Sequence, residues 1–139
     1  MCGRPLLYWV CKAANDCAAI DAVYVSTEDA EIAAVARGLG LEKLEVVGRD
    51  EATATDQAST ESAMLDFAAR VPFDAIALIQ ATSPLLDAAH LDAAWRLLDS
   101  GTCDSVLSVA PQHRFRWNVR PDGLATPENY DPLHRPRRQ

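Results

Sequence analysis

The sequence lacks the features that mark a membrane protein, a disulfide-rich miniprotein or a disordered chain. None of its apolar runs approaches the roughly 18 residues that span a bilayer. Its four cysteines form no Cys-x-x-Cys pair, which disfavours a structural zinc site or a thioredoxin-like motif. Hydrophobic residues make up 49% of the 139 residues and charged residues 24%, as in an ordinary globular protein of about one domain.

Several nucleotide-binding and catalytic motifs are also missing. The chain has no Gly-x-Gly-x-x-Gly dinucleotide fingerprint, no Gly-x-x-x-x-Gly-Lys-Ser/Thr phosphate loop and no Gly-x-Ser-x-Gly nucleophile elbow. Its three histidines, His90, His113 and His134, are scattered along the chain and do not form a metal site. The sequence therefore offers no support for a dinucleotide site, a P-loop or a serine-hydrolase site.

Charge is distributed unevenly along the chain. The net charge is −7, yet residues 110–139 hold six arginines against three acidic residues, while residues 1–109 are strongly acidic. An acidic body disfavours non-specific binding to nucleic acid. Arginine-rich segments favour a local anionic partner or a subunit interface. We therefore expect an acidic body followed by a basic arm, and no role in nucleic-acid binding.

Hydrophobic periodicity predicts strands that alternate with helices. The predicted strands are short and apolar, at residues 22–26, 44–47, 74–80 and 104–109. The predicted helices lie at residues 6–19, from a cap at residues 26–29 to Arg37, from Ser59 or Thr60 to Pro72, and after Asp87. Segment 74–80 is nearly all apolar, which predicts a strand buried on both faces. The alternation is typical of parallel βαβ units, so we expect an α/β domain over residues 1–109 and an extended arm over residues 110–139.

Three polar clusters follow predicted strands, at residues 26–29, 49–60 and 80–83. Open α/β sheets bind ligands at the carboxyl ends of their strands, so these clusters predict a binding site. The Gln80 amide has two donors and one acceptor and can read the edge of a base or a sugar. Arg49 can hold a phosphate through two hydrogen bonds. Helix capping, turn formation and a surface position explain the same residues without a ligand, and these interpretations stay open.

Six motifs in a fixed order carry a resemblance to a known family. They are Gly3-Arg4-Pro5-Leu6-Leu7, Val25-Ser26-Thr27-Glu28-Asp29, Asp56-Gln57-Ala58-Ser59-Thr60, Ile79-Gln80-Ala81-Thr82-Ser83-Pro84, Asp104-Ser105-Val106-Leu107-Ser108-Val109 and Arg135-Pro136-Arg137-Arg138-Gln139. Together they resemble the N-acylneuraminate cytidylyltransferases, also called CMP-sialic acid synthetases, and are most similar to the animal-type enzymes. Leu86 departs from the pattern, because bacterial members usually carry arginine there.

The resemblance implies a Rossmann-like, three-layer nucleotidyltransferase fold with a mostly parallel sheet. It implies an enzyme that joins CTP to a nine-carbon keto-acid sugar and releases pyrophosphate, with Mg²⁺ as cofactor and a dimer or tetramer as the assembly. The positions that it places against the nucleotide are Arg49, Ser59, Thr60, Gln80, Thr82 and Ser83. It places Arg116 and Arg137 near the sugar acid of a partner subunit, with Gln139 in the same motif, and assigns Arg137 and Gln139 to catalysis.

The resemblance also implies that parts of the family pattern lie outside this chain. A first, central strand and a basic loop would precede Met1, and the aspartates that bind Mg²⁺ would follow Gln139. Without that strand, the strands at 22–26 and 76–80 would flank a slot about 10 Å wide and expose unpaired edges. We therefore expect a poorly stable chain without synthetase activity.

Two other functions stay open. One is the related transfer of CMP to an eight-carbon keto-sugar, as in CMP-KDO-type enzymes. The other is a non-catalytic α/β interaction module whose arginine arm docks an anionic partner. Cytosine-selective binding would favour an enzyme, whereas salt-sensitive binding to any polyanion would favour the module. Unpaired cysteines and the basic segment 135–138 predict a cytoplasmic or nuclear protein that does not bind membranes.

Overall fold

The computed structural model describes residues 1–55, 57–112 and 114–134, in two compact units, Met1–Val106 and Leu107–Gln139. The first unit contains α1 (Leu6–Asp16), β1 (Val23–Ser26), α2 (Ala30–Arg37), β2 (Leu44–Val47), α3 (Thr60–Ala68) and α4 (Ala88–Asp99). The second contains the antiparallel strands β3 (Trp117–Val119) and β4 (Ala125–Pro127). Helices combined with a parallel β1–β2 pair confirm the α/β class. In the described ranges no helix has the length and apolar character needed to cross a membrane.

The core of the first unit lies between α1, β1 and α2. Val10 and Cys11 of α1, Val25 of β1 and Ala36 of α2 form one buried cluster. Ala36 is 0% exposed. Small side chains on the two helices allow close approach to the strand, because a packed interior leaves little room for extra volume.

The opposite face of β1 is covered by α3. Side chains alternate between the two faces of a strand, so Tyr24 points away from Val25. The Tyr24 ring lies 5.1 Å from the ring of Phe67 on α3. Phe67 also stacks on Phe73 with 6.1 Å between ring centroids. Helices therefore cover both faces of the β1–β2 pair, as parallel strands require.

Side-chain caps fix the starts of three helices. The Ser59 hydroxyl accepts a hydrogen bond from the Ser62 N–H at 3.1 Å at the start of α3. The Asp87 carboxylate accepts one from the His90 N–H at 3.0 Å at the start of α4. The predicted starts at Ser59 and Asp87 are confirmed, and Asp29 caps α2 in the predicted 26–29 cluster. Each cap satisfies an otherwise unpaired N–H and stabilises its helix by about 1 kcal/mol.

Helix α1 ends three residues before the end of the predicted helix 6–19. At Cys17 the backbone becomes extended, with φ −70° and ψ 125°. The Lys43 ammonium donates hydrogen bonds to the carbonyls of Cys17 and Ile20 at 2.8 and 2.7 Å, which satisfies acceptors beyond the helix end. The Cys17 thiol donates to Asp92 Oδ1 on α4 at 3.0 Å. Contacts that are distant in sequence therefore end this helix.

The two segments predicted as strands at residues 74–80 and 104–109 do not form strands, and the predicted mostly parallel sheet is a two-stranded parallel pair in the described chain. The predicted burial of segment 74–80 on both faces is also wrong, because Leu78 is 53% exposed. Leu107 in segment 104–109 is 82% exposed. Ile79 does pack against the core. A strand forms only when a neighbouring strand supplies its hydrogen bonds, and neither segment has such a neighbour among the described residues.

The arm predicted to be extended contains a hairpin within the second unit. Strands β3 and β4 pair antiparallel. Gly123 in the connecting turn has φ 81°, a conformation that favours glycine. The rings of Phe115 and Trp117 lie 4.4 and 5.9 Å from the ring of Tyr130. Each strand of the hairpin has only three residues, which is too short to show an alternating hydrophobic pattern. The arginines and prolines around the strands also interrupt that pattern.

Candidate functional site

The polar residues that follow β1 and β2 begin at one edge of the strand pair. Ser26 and Val47 are paired in register at the carboxyl ends of the two strands. The Thr27 N–H donates to the Val47 carbonyl at 3.1 Å. Thr27 is buried, and its hydroxyl accepts a hydrogen bond from the Asp29 N–H at 3.1 Å. The polar segments at 26–29 and after Val47 therefore share the edge at which open α/β sheets bind ligands.

Arg49 is half-buried and folds onto a short 3-10 turn, Glu51–Thr53. Its Nε donates to Thr53 Oγ1 at 3.3 Å, and its Nη2 donates to the Thr53 carbonyl. The Thr53 hydroxyl in turn donates to the Asp50 carbonyl at 2.8 Å. A guanidinium carries five N–H donors, so these contacts leave donors that can bind a phosphate.

Ser59 and Thr60 lie at the N-terminus of α3. The Ser59 hydroxyl is engaged as the helix cap, while Thr60 is the first helical residue and is exposed. The N-terminus of a helix presents N–H groups and the positive end of the helix dipole, which favours an anion. In the described chain no hydrogen bond joins Arg49 to either residue.

Gln80, the last residue of segment 74–80, opens two consecutive turns that also contain Thr82 and Ser83. The Ser83 N–H donates to the Gln80 carbonyl at 3.0 Å, and the Leu86 N–H donates to the Ser83 carbonyl at 3.1 Å. All three side chains are exposed, and none makes a side-chain hydrogen bond to another described residue. The amide and the two hydroxyls are therefore available to a ligand.

One cavity of the first unit borders the turn that carries Gln80. The cavity of about 410 Å³ opens between the starts of α1 and α2 and is lined by Ala81, which separates Gln80 from Thr82 in the chain. The six predicted contacts do not line it, whereas Asp29 and Glu31 do. Their carboxylates would repel a triphosphate at short range. This cavity therefore borders the Gln80 turn without being the predicted phosphate site.

Arg116 lies in the second unit, directly before β3. Its Nε is 3.4 Å from Glu128 Oε2, and both side chains are exposed. The Asn129 amide accepts a hydrogen bond from the Arg116 N–H at 2.9 Å and donates to the Arg114 carbonyl at 2.8 Å. This clamp fixes the backbone at Arg116. Because exposed ion pairs are weak, an anionic ligand can compete with Glu128 for the Arg116 guanidinium.

The described chain contains few groups that could carry out chemistry directly. Among the described residues, no three or more His, Cys, Asp or Glu side chains cluster so as to hold a metal ion. Burial raises the pKa of the Cys11 thiol to about 11, and burial with the neighbouring Asp92 carboxylate raises the pKa of Cys17. Both thiols are therefore protonated and poor nucleophiles. The two predicted catalytic residues, Arg137 and Gln139, lie outside the described residues.

Arg70 lies in none of the polar clusters that the sequence indicates as binding segments. Its Nη1 donates to the Gly48 carbonyl at 2.8 Å, directly before Arg49. Its Nε donates to the Asp66 carbonyl at 3.2 Å, and its Nη2 lies 2.5 Å from Asp66 Oδ2. The i,i+4 spacing of Asp66 and Arg70 is a sequence signal for a helical ion pair. Nothing local in the sequence indicates the contact with Gly48.

Comparisons with known proteins match the whole chain. A family profile described as "Cytidylyltransferase" matches residues 1–134. The chain is 40% identical to N-acylneuraminate cytidylyltransferase of Oncorhynchus mykiss over 143 aligned positions. It is 38% and 35% identical to N-acylneuraminate cytidylyltransferases A and B of Danio rerio. The alignments cover 100% of this chain but 32% or 33% of each relative, so the chain spans about one third of the length of these curated relatives.

Proposed function

Because this chain belongs to the cytidylyltransferase family, we propose that it supplies the nucleotide-binding part of an N-acylneuraminate cytidylyltransferase. That enzyme forms CMP-sialic acid and pyrophosphate from CTP and sialic acid. The family match over residues 1–134 carries the proposal. The names of the Oncorhynchus mykiss and Danio rerio relatives favour the nine-carbon sugar over the eight-carbon alternative.

The polar side chains in segments 49–60 and 80–83 suit the parts of CTP. Cytosine offers an amino donor beside ring acceptors, and the Gln80 amide offers the complementary acceptor and donors. Thr82 and Ser83 add hydroxyls on the same turn. Arg49 has donors for a phosphate, and the N-terminus of α3 at Thr60 favours an anion. This assignment gives the base and the phosphates separate sets of contacts.

The proposed reaction is a nucleotidyl transfer in which the enzyme mainly positions the reactants. The anomeric hydroxyl of the sugar forms a bond to the α-phosphorus, the bond to the β-phosphate oxygen breaks, and pyrophosphate leaves while the hydroxyl proton is lost. Such a step depends on orientation and charge stabilisation. We place Arg116, Arg137 and Gln139 at the sugar acid, reaching across from a partner subunit of a homo-oligomer. Mg²⁺ is proposed as cofactor with ligands outside the described residues.

Two unpaired polar groups support a further strand beside β1. Trp9 Nε1 and Ser26 Oγ are buried and have no hydrogen-bond partner among the described residues. Buried polar groups in native proteins almost always have one. β1 pairs with β2 on one side, and segment 74–80 has no strand neighbour in the described chain. We place the first strand of a doubly wound sheet between β1 and segment 74–80.

Selective binding of CTP tests the proposed function. We expect the chain to bind CTP about 30-fold more tightly than ATP or GTP, because a site that hydrogen-bonds the edge of one base discriminates by about 1–3 kcal/mol. Isothermal titration calorimetry at physiological ionic strength, repeated at higher salt, measures this preference. Equal affinities for all three nucleotides that fall together with added salt would instead favour the anion-docking module.

A further inference from the structure

We infer that Arg70 is a positioning residue of the nucleotide site and that it acts through Arg49, an inference that rests on the proposed function. Arg70 lies one residue beyond the C-cap of α3, Ala69. Its hydrogen bond to the Gly48 carbonyl joins positions 22 residues apart. The contact attaches the end of the helix to the residue before Arg49.

Asp66 orients the Arg70 guanidinium. Nε and Nη2 of Arg70 contact the Asp66 carbonyl and carboxylate at 3.2 and 2.5 Å, while Nη1 is the group that reaches Gly48. Three contacts on one planar group restrict its orientation. The Asp66 side chain is 23% exposed and the Arg70 side chain 42%, so the pair is partly shielded from solvent. The hydrogen bond to Gly48 therefore comes from an oriented donor.

The peptide that Arg70 holds is the one that leads into Arg49. A peptide unit is planar, so a restraint on the Gly48 carbonyl also restrains the Arg49 nitrogen. Glycine has unusual backbone freedom, and Gly48 therefore benefits from an external restraint. The far end of the Arg49 side chain is held by Thr53 Oγ1 at 3.3 Å. Arg49 is thus fixed at its backbone by Arg70 and at its guanidinium by Thr53.

One helix connects two sets of proposed nucleotide contacts. α3 begins beside Ser59 with Thr60, and its C-terminal end is followed by Arg70. The Arg70–Gly48 hydrogen bond therefore links the helix that carries Thr60 to the residue that precedes Arg49. A fixed relation between these segments lowers the ordering cost of binding one triphosphate to both.

A double-mutant cycle tests the inference in this chain. Arg70→Ala is expected to weaken CTP binding about fivefold, because hydrogen bonds made by charged groups are worth about 1.5–3 kcal/mol and exposure reduces that value. In the Arg49→Ala background Arg70→Ala should have no further effect, since the two act together. Arg70→Lys, which keeps one donor, should restore part of the affinity. Arg37→Ala, at an exposed arginine in the last turn of α2, serves as the matched control.

Hydrogen exchange separates failure of this inference from failure of the proposed function. Without nucleotide, Arg70→Ala should accelerate amide exchange at Thr53 and Ala54, which donate to Asp50 and Glu51 at 2.9 and 3.1 Å, and leave α1 unchanged. Unchanged exchange in this turn would overturn the positioning role whether or not CTP binds. The positioning role would also be overturned if the losses of CTP affinity caused by Arg49→Ala and Arg70→Ala were fully additive in the double variant. Absence of CTP binding by the unaltered chain, with exchange responding as expected, would instead overturn the proposed function, and with it the link from Arg70 to nucleotide.

Discussion

Gln80→Ala is expected to weaken CTP binding about 30-fold and to remove the preference of this chain for CTP over ATP and GTP. The loss corresponds to about 2 kcal/mol, the worth of one good two-point contact between a side chain and a base edge. The Gln80 side chain is exposed and has no hydrogen bond to another described residue, so its removal should not disturb the fold. Calorimetric titration with the three nucleotides measures the change.

A glutamine in the second unit supplies the matched control for this substitution. Gln112→Ala changes the same side chain at an exposed position outside every strand and helix. Its CTP affinity should equal that of the unaltered chain. If the Gln80→Ala variant has the same affinities for CTP, ATP and GTP as the Gln112→Ala variant, Gln80 does not read the base. The assignment of residues 80–83 to cytosine recognition is then wrong.

The second large effect concerns catalysis and stability. This chain alone is expected to release no pyrophosphate from CTP and sialic acid. The Oncorhynchus mykiss relative, with its matched span replaced by this chain, should release it. The physical reason is that the chain matches 32% of that relative and that, among the described residues, one edge of β1 and both edges of segment 74–80 have no strand neighbour. The free energy of unfolding of the chain alone should also fall below the roughly 5–15 kcal/mol of a typical domain.

Two controls make the chimera decisive. The same chimera carrying Gln80→Ala should fold equally well by circular dichroism and lose most of its turnover at limiting CTP. Turnover by this chain alone, or a cooperative melt of ordinary stability, would contradict the proposed requirement for a further strand. A folded chimera that binds no CTP would contradict the proposed nucleotide site itself.

Local rules predicted the features whose causes are local. The helix starts at Ser59 and Asp87 were found correctly because a cap depends on side chains within three residues of the helix start. The end of α1 was predicted wrongly because Lys43, 26 residues away from Cys17, supplies the hydrogen bond there. The apolar composition of segment 74–80 predicted a strand. Such a segment forms a strand only when a neighbouring strand is present to pair with it.

The sequence predicted which residues could form the candidate site, but it did not predict the contacts between them. The positions of Arg49 and Gln80 after apolar segments follow from strand periodicity. Their contacts do not, since the hydrogen bond between Arg70 and Gly48 spans 22 residues. The acidic lining of the neighbouring cavity at Asp29 and Glu31 likewise depends on how α1 and α2 pack.

Mapping of CTP onto this chain by amide chemical-shift changes tests the central proposal most directly. The proposal that the polar strand ends bind a pyrimidine nucleotide predicts saturable changes at residues 49–60 and 80–83, with smaller changes for ATP at equal concentration. Changes confined to residues 114–134, equal for CTP, ATP and GTP, would contradict it and assign anion binding to the arginine-rich hairpin.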